Sequence, residues 1–495
     1  MHALPNHTRP RYGRVLMMVS LLVGLPGCTT AGPDYQRPEV QVPAHWIEGE
    51  ESISNGDQDG LRTWWQSFHD PMLDRLVEQT LMQNQDLEIA LARLRQARAE
   101  RVQTASSSGP MISADGTGET LHSSKALTSQ SGGKSHTWHL GFDASWELDL
   151  FGGTRRALEA DDAGMEALAE DHRALQVSLI AELVSSYAEL RAAQTRLGIA
   201  HDNIRVLGDA ERLSEQTHRS GLGSLADVLQ ARAEREAAEA KPLVMEADIA
   251  RLSHTIGVLA GGFPGDWHDA LGKVSPMVPM RGDLPLSMPS DVIRQRPDLR
   301  ADERRLAAAS ARIGVAEAER FPRFRIPLGI GTTANAIQHL FSAASLAWSA
   351  AMQGGQSLYD GGRVDAQVAA AQANADAARL VYERDVRLAL RDVEDALTVW
   401  TRERQRQISL NRAVITSQQA LEHSTRLYER GLSAYLPVLL AQRTLNQARD
   451  ELALSRLEET RGLIALYKSL GAGWQDAPQN QEGDQSGDFQ MSASQ

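Results

Sequence analysis

Between Arg363 and Arg430 the chain runs for nearly seventy residues without a glycine or a proline. At about 1.5 Å rise per residue, one uninterrupted helix of that length is on the order of 100 Å long, more than a compact domain can enclose. Val386, Leu390, Val393, Leu397 and Trp400 step by four, three, four and three, the spacing of a coiled-coil seam. Leu388 and Val399 lie off that seam, and Ala366, Ala369, Ala370, Ala373 and Ala377 form a small-residue face, so the helix needs more than one partner. Thr154 to Ser220 is a second such run, free of proline, with only Gly164, Gly198 and Gly208 as interior weak points. Two long helices in corresponding places point to a repeated architecture.

From Ser135 the period changes to two. Trp138, Leu140, Phe142, Ala144, Trp146, Leu148 and Leu150 share one face, and Thr137, His139, Gly141, Asp143, Ser145, Glu147 and Asp149 the other. This alternation outlasts the usual soluble strand of about five or six residues. Aromatics near both ends fit a transmembrane barrel strand, with a soluble sandwich strand as the alternative. Arg323 to Thr333 and Leu346 to Leu358 alternate more weakly, with Pro327 inside the former, and Pro110 to Leu121 is the least regular. Four strands cannot close a barrel, since about eight is the smallest size, so several chains must share one. Three copies supply twelve.

At the amino terminus, Arg9, Arg11 and Arg14 precede the apolar run Val15 to Leu25 and then Pro26-Gly27-Cys28, the layout of an export signal. That run is too short for a permanent membrane helix. Cys28 is the only cysteine, so no internal disulfide is available. It resembles the lipidated cysteine of bacterial lipoproteins, and Thr29 after it favours the outer membrane by the same resemblance. Without the leader the chain holds 48 basic and 64 acidic residues, a net charge of −16, which argues against nucleic acid as a partner.

The halves align at near-constant offsets. Gln85-Asp86-Leu87 recurs as Pro297-Asp298-Leu299 and Pro110 as Pro322, 212 residues on; Leu150-Phe151 and Arg155 recur as Leu358-Tyr359 and Arg363, 208 on. Gly221-Leu222 and Val228-Leu229 recur as Gly431-Leu432 and Val438-Leu439, 210 on. Each half reads helix, strand, strand, long helix, tight turn, helix. Gly221 and Gly431 stand where helix-ending glycines belong, and Pro242 is placed to bend the first returning helix. Asp70 and Pro71 read as a helix start, a single helix continuing from there to about Ser107 with Leu87, Leu91 and Leu94 as its seam. Trp64 and Trp65 before it read as core.

The segments Cys28 to Pro38 (CTTAGPDYQRP), Trp64-Trp65 through Asp70-Pro71, Pro289 to Leu299 (PSDVIRQRPDL), Leu358 to Arg363 (LYDGGR) and Gly431 through Val438-Leu439 resemble the TolC family of outer-membrane factors, in its efflux lipoprotein (NodT-type) branch. The resemblance implies an α+β membrane protein with duplicated halves, a homotrimer forming a 12-stranded transmembrane β-barrel continued by a 12-helix periplasmic α-barrel. It implies partnership with a periplasmic adaptor (membrane fusion) protein, an inner-membrane efflux pump and outer-membrane lipid. The expected division is a signal peptide over 1–27, a lipidated arm over 28–69, repeats over 70–287 and 288–473, and a disordered tail over 474–495.

On that resemblance the two turns are periplasmic tips, with Gly221, Leu222, Gly223, Gly431, Leu432 and Ser433 meeting the adaptor. Asp227 matches an acidic position and Arg443 a basic one, whereas Pro437 and Leu440 occupy positions often acidic in relatives. These four are the gate candidates, Leu440 having the alternative of a seam residue. Three carboxylates about 7 Å apart repel by roughly 2 kcal/mol per pair at a dielectric of 20, so a ring of Asp227 needs donors nearby, and Arg443 is the proposed one.

Catalysis is not expected. Gly329-Ile-Gly331 with Ala334 lies in a strand rather than opening a helix, His136 and His139 point to opposite faces, and Arg281-Gly282-Asp283 is a loop coincidence. No cofactor or metal is anticipated. The expected function is a passive outer-membrane exit duct for small molecules. A tethered periplasmic scaffold, or the same duct exporting protein or metal ions, are the alternatives.

Overall fold

In the computed structural model, which describes residues 30–47, 61–122, 134–275 and 288–475, both long proline-free runs are single helices. The order is α1 (Pro71–Gln83), α2 (Gln85–Ser106), β1 (Met111–His122), β2 (Lys134–Leu148), α3 (Gly153–Arg219), α4 (Leu225–Glu239), α5 (Lys241–Leu259), the one-turn α6 (His268–Leu271), α7 (Pro289–Gln295), α8 (Pro297–Ala318), β3 (Arg323–Ala334), β4 (Leu346–Ala350), β5 (Gln353–Gly355), α9 (Arg363–Glu429) and α10 (Leu436–Ser469). The leader, Cys28, Arg281-Gly282-Asp283 and the segment after Gln475 lie outside the described residues. The chain forms two units, one of Met1–Glu39, Arg93–Ala167 and Asp302–Tyr382, the other of Val40–Ala92, Leu168–Ala301 and Glu383–Gln495.

The first unit holds an antiparallel sheet in the order β1-β2-β3-β4, with β5 also on β3. Register carries the alternation across the strands: Ala114 faces Phe142, Phe142 faces Ile330, and Ile330 faces Trp348. Side chains on opposed residues share a face. That row is left uncovered, Phe142 being 61% exposed, Ile330 53% and Trp348 77%. The predicted strand over Leu346 to Leu358 is split. β4 pairs with Leu328 to Thr332 and β5 with Arg323 to Arg325, leaving a gap at Ile326 and Pro327. Pro327 has no N–H to give the ladder, and only Ala351 N–H reaches its carbonyl, at 3.1 Å.

The arm is built into the same unit. Arg156, nearly buried, donates to Ala31 O at 3.0 Å and Asp34 Oδ1 at 2.7 Å, while Ala31 N donates to Phe151 O. Gly32, at φ +82°, crosses Gly314 so closely that a Cβ would lie 2.4 Å from the Gly314 Cα. Further along, Tyr35 O–H and Arg37 both meet the Glu303 carboxylate.

In the second unit Trp64, Trp65, Phe68, Leu73 and Leu76 pack against Ile180, Leu183, Tyr187, Ile256, Leu397 and Tyr467. Trp64 stacks on Tyr467 at 4.9 Å between centroids. Asp70 caps α1 by accepting from Met72 N at 2.9 Å, and its other oxygen accepts from Tyr187 O–H, which itself accepts from Arg191. The helix expected to run unbroken to Ser107 instead breaks at Asn84. Its side-chain oxygen accepts from Asp86 N at 2.9 Å and caps α2, while its amide donates to Leu259 O. Of the seam expected on α2, Leu87 is buried and Leu94 half-buried, while Leu91 is 45% exposed. Ala240 separates α4 from α5, with Pro242 in the first turn of α5, where its missing N–H breaks no helical bond. No described helix is long and apolar enough to cross a membrane. Trp64 is 2% exposed, so Trp64→Ala is expected to cost about 3–5 kcal/mol in denaturant melts.

Candidate functional site

The two turns close identically in backbone. After α3, Gly221 N donates to His218 O at 2.9 Å and Leu222 N to Thr217 O at 3.0 Å; after α9, Gly431 N donates to Tyr428 O and Leu432 N to Leu427 O, both at 2.9 Å. This pairing satisfies carbonyls that a helix end leaves free, and it demands the left-handed φ of +76° at Gly221 and +67° at Gly431. A side chain at either position is strained by the turn itself. The same pattern recurs at the far ends of the returning helices, where Gly261 and Gly471 carry φ of +80° and +71°.

Side chains then make the turns different. At the first, Ser224 and Asp227 form a reciprocal capping box, Asp227 N donating to Ser224 Oγ at 3.1 Å and Ser224 N to the Asp227 carboxylate at 3.3 Å. Gly223 is half-buried, its carbonyl accepting from the His218 ring at 3.0 Å. At the second, Pro437 takes the place of a free N–H in the first turn of α10, and Ser433 Oγ donates to the neighbouring carbonyl of Ala434. Tyr428, Tyr435, Val438, Leu439 and Ala231 form a buried cluster behind it. Burial pushes the Tyr435 hydroxyl up to about 12, the nearby Tyr428, Glu234 and Asp227 acting the same way.

Leucines project from both turns: Leu222 is 77% exposed and Leu432 71%, with Leu225, Leu436 and Leu440 also exposed. Of the four gate candidates, the structure joins none to another. Asp227 is held by Ser224, and Arg443 on α10 forks onto Glu234 of α4, its Nε 3.3 Å from Oε2. Glu234 was not singled out from the sequence, nor was the cluster in which Glu211 of α3 accepts from Arg232 at 2.9 Å and Arg235 at 2.6 Å of α4. A signal existed for it: residues equidistant from a tight antiparallel turn face each other, and Glu211 and Arg232 flank Gly221 to Gly223 at nearly equal distances in sequence.

A family description, Outer membrane efflux protein, matches residues 76–262 and 288–472. The chain is 30% identical over 450 residues to Nodulation protein T of Rhizobium leguminosarum bv. trifolii, covering 91% of this chain and 95% of that protein. It is 28% identical over 471 residues to Cation efflux system protein CusC of Escherichia coli, covering 93% of this chain and 99% of the relative. Its fold superposes on the solved structure of the outer-membrane channel OprN with a TM-score of 0.86 and 37% identity, over 90% of this chain and 100% of that one.

Hydrogen bonds from Arg232 and then Arg235 hold the Glu211 carboxyl below its ordinary value of 4.5. A depressed carboxylate adds stability above its unfolded pKa and loses it as pH falls through the folded one. Glu211→Gln is therefore expected to loosen the α3–α4 end by about 1 kcal/mol at pH 7. Amide hydrogen exchange there should show wild type and variant converging as pH drops below 4.5.

Proposed function

Since the chain belongs to the outer membrane efflux protein family, we propose that it works as a homotrimer, a passive exit duct for small molecules joined through a periplasmic adaptor to an inner-membrane pump. One observation carries this reading: four successive antiparallel strand positions present an uncovered apolar row, Ala114, Phe142, Ile330 and Trp348, while the outer edges of β1 and of β4 with β5 have no partner among the described residues. In hydrocarbon such edges must pair, and three copies closing edge to edge satisfy them. The duplicated markers support the same conclusion. Phe151 stacks on Phe321 at 4.6 Å, whereas its counterpart Tyr359 is 91% exposed, as expected of a position that a second copy covers.

Within that trimer the repeats are residues 70–287 and 288–473, and Cys28 carries the lipid. The adaptor meets Gly221, Leu222 and Gly223 and their counterparts Gly431, Leu432 and Ser433. The gate is built on Asp227, Pro437, Leu440 and Arg443, with Glu234 added as the partner that ties α10 to α4. Leu440 makes the constriction more apolar than a ring of acids. No step of catalysis is assigned to the chain; the pump supplies the energy. The relative CusC is named for cation efflux, which favours a second cargo, cations, on the same duct. Transport assays with lipophilic dyes and with cation salts separate the two.

Phe142→Lys puts a charge on the lipid-facing row at about 2–4 kcal/mol per copy. It is expected to abolish the heat-modifiable oligomer in outer-membrane fractions, whereas Asp143→Asn on the other face leaves it intact; equal behaviour of the two would overturn the duct. In single-channel recordings Leu440→Asp should raise current and cation selectivity, and Arg443→Glu should raise current in a way that a compensating Glu234→Arg reverses.

A further inference from the structure

The two duplicated hairpins differ in stiffness at one level. In the first, α4 cannot run on into α5, because Pro242 has no N–H to reach back to the carbonyl of Ala238. Ala240, where the helices meet, keeps helical dihedrals of −75° and −24°, so the joint is an interrupted hydrogen-bond ladder rather than a turn. Glu211 of α3 meets Arg232 and Arg235 of α4, which sets Gly208, about one turn further from the tip, level with Ala237. A Cβ on Gly208 would lie 3.9 Å from Arg235 Cδ. Glycine weakens a helix more than any residue but proline, so both helices of this hairpin are weak at nearly one height. A groove of about 630 Å3 opens beside the joint, bounded by Ala237, Lys241 and Met245, by Ile199 of α3 and by Asp450 of α10. Bending there gives up little packing.

The second hairpin has neither weakness. At the repeat offset of 210, Gly208 becomes Gln418 and Pro242 becomes Leu452. Both α9 and α10 pass this height unbroken, and Arg449 of α10 donates to Gln418 Oε1 of α9 at 2.9 Å. We propose that the first hairpin bends at Gly208 and Ala240, residues 209–239 tilting as one piece while the second hairpin stays straight as a strut. Glu211, accepting from Arg232 and Arg235, ties the end of α3 to α4, so the piece moves whole. The contacts it leaves are Glu234 with Arg443, Ser214 with Tyr428, and Ala231 in the ring cluster. Above the joint, α5 is fixed by buried Leu252 and Ile256, and α3 by Arg196 on Asp450 at 2.6 Å. The tilt draws the first turn away from the second, and its part in opening the duct rests on the reading of the turns as the gate.

The test follows maleimide labelling of introduced cysteines in the full-length protein in lipid nanodiscs, each read on its own peptide by mass spectrometry. Ser214, 1% exposed, lies below the joint, and Ser253, 4% exposed, lies above it on α5. Tilting uncovers the first position and not the second. Adding Gly208→Ala and Pro242→Ala, which place helix formers at both weak points, is expected to slow labelling at Ser214→Cys about fivefold and to leave Ser253→Cys unchanged. Should the pair fail to assemble, Gly208→Ala alone, whose methyl group meets only Arg235 Cδ, is expected to slow the first site selectively. Equal slowing at both sites reports general stabilisation, and no slowing at either reports motion elsewhere; each overturns the joint. Single-channel recordings keep the two readings apart. Fewer openings in the stiffened variant are expected, whereas selective slowing with unchanged openings counts against the turns as the gate and leaves the joint standing.

Discussion

Backbone groups along a sheet edge need partners, and in hydrocarbon there is no water to supply them. In this chain β1 forms one edge and β4 with β5 the other, on a sheet whose apolar face is left uncovered by the described residues. A single copy therefore leaves two obligations open at once, one polar and one apolar. Both are met by the same act, edge-to-edge closure with further copies facing lipid. The proposed trimer follows from this requirement more directly than from any helix.

The long helices answer a different problem. Helices of such length gain little from propensity and must be held by packing. In the second unit that packing comes from aromatic residues, Trp64 against Tyr467 and Tyr187 over Asp70, and from close approaches that only glycine allows. Gly261 lies against Gln83 so tightly that a Cβ would fall 2.3 Å from its carbonyl oxygen. The arm is held by a comparable close contact at Gly32 and Gly314 in the first unit.

Duplication kept the backbone solution and released the side chains. Both turns use the same pair of hydrogen bonds at a left-handed glycine, yet the first is braced by charges, Glu211 with Arg232 and Arg235, and the second by buried rings. Leu229 is 55% exposed while its counterpart Leu439 is 2% exposed. In the proposed trimer such divergence is permitted, because each turn repeats but its neighbours do not.

Much of this was legible in the residues themselves. The extents of α3 and α9, the alternating face of β2, the turn glycines and the repeat offsets all express local rules, in which a residue's own backbone preference or its period decides the outcome. The family resemblance rested on motifs of the same local kind. What the tertiary structure decided was pairing between distant segments. The split of β4 from β5 depends on which residue register sets opposite Pro327, and the break at Asn84 depends on Leu259 O lying within reach of its amide. Arg443 meets Glu234 rather than Asp227 because α10 and α4 bring those two positions level. No window along the chain contains both members of these pairs, so periodicity carries no information about them.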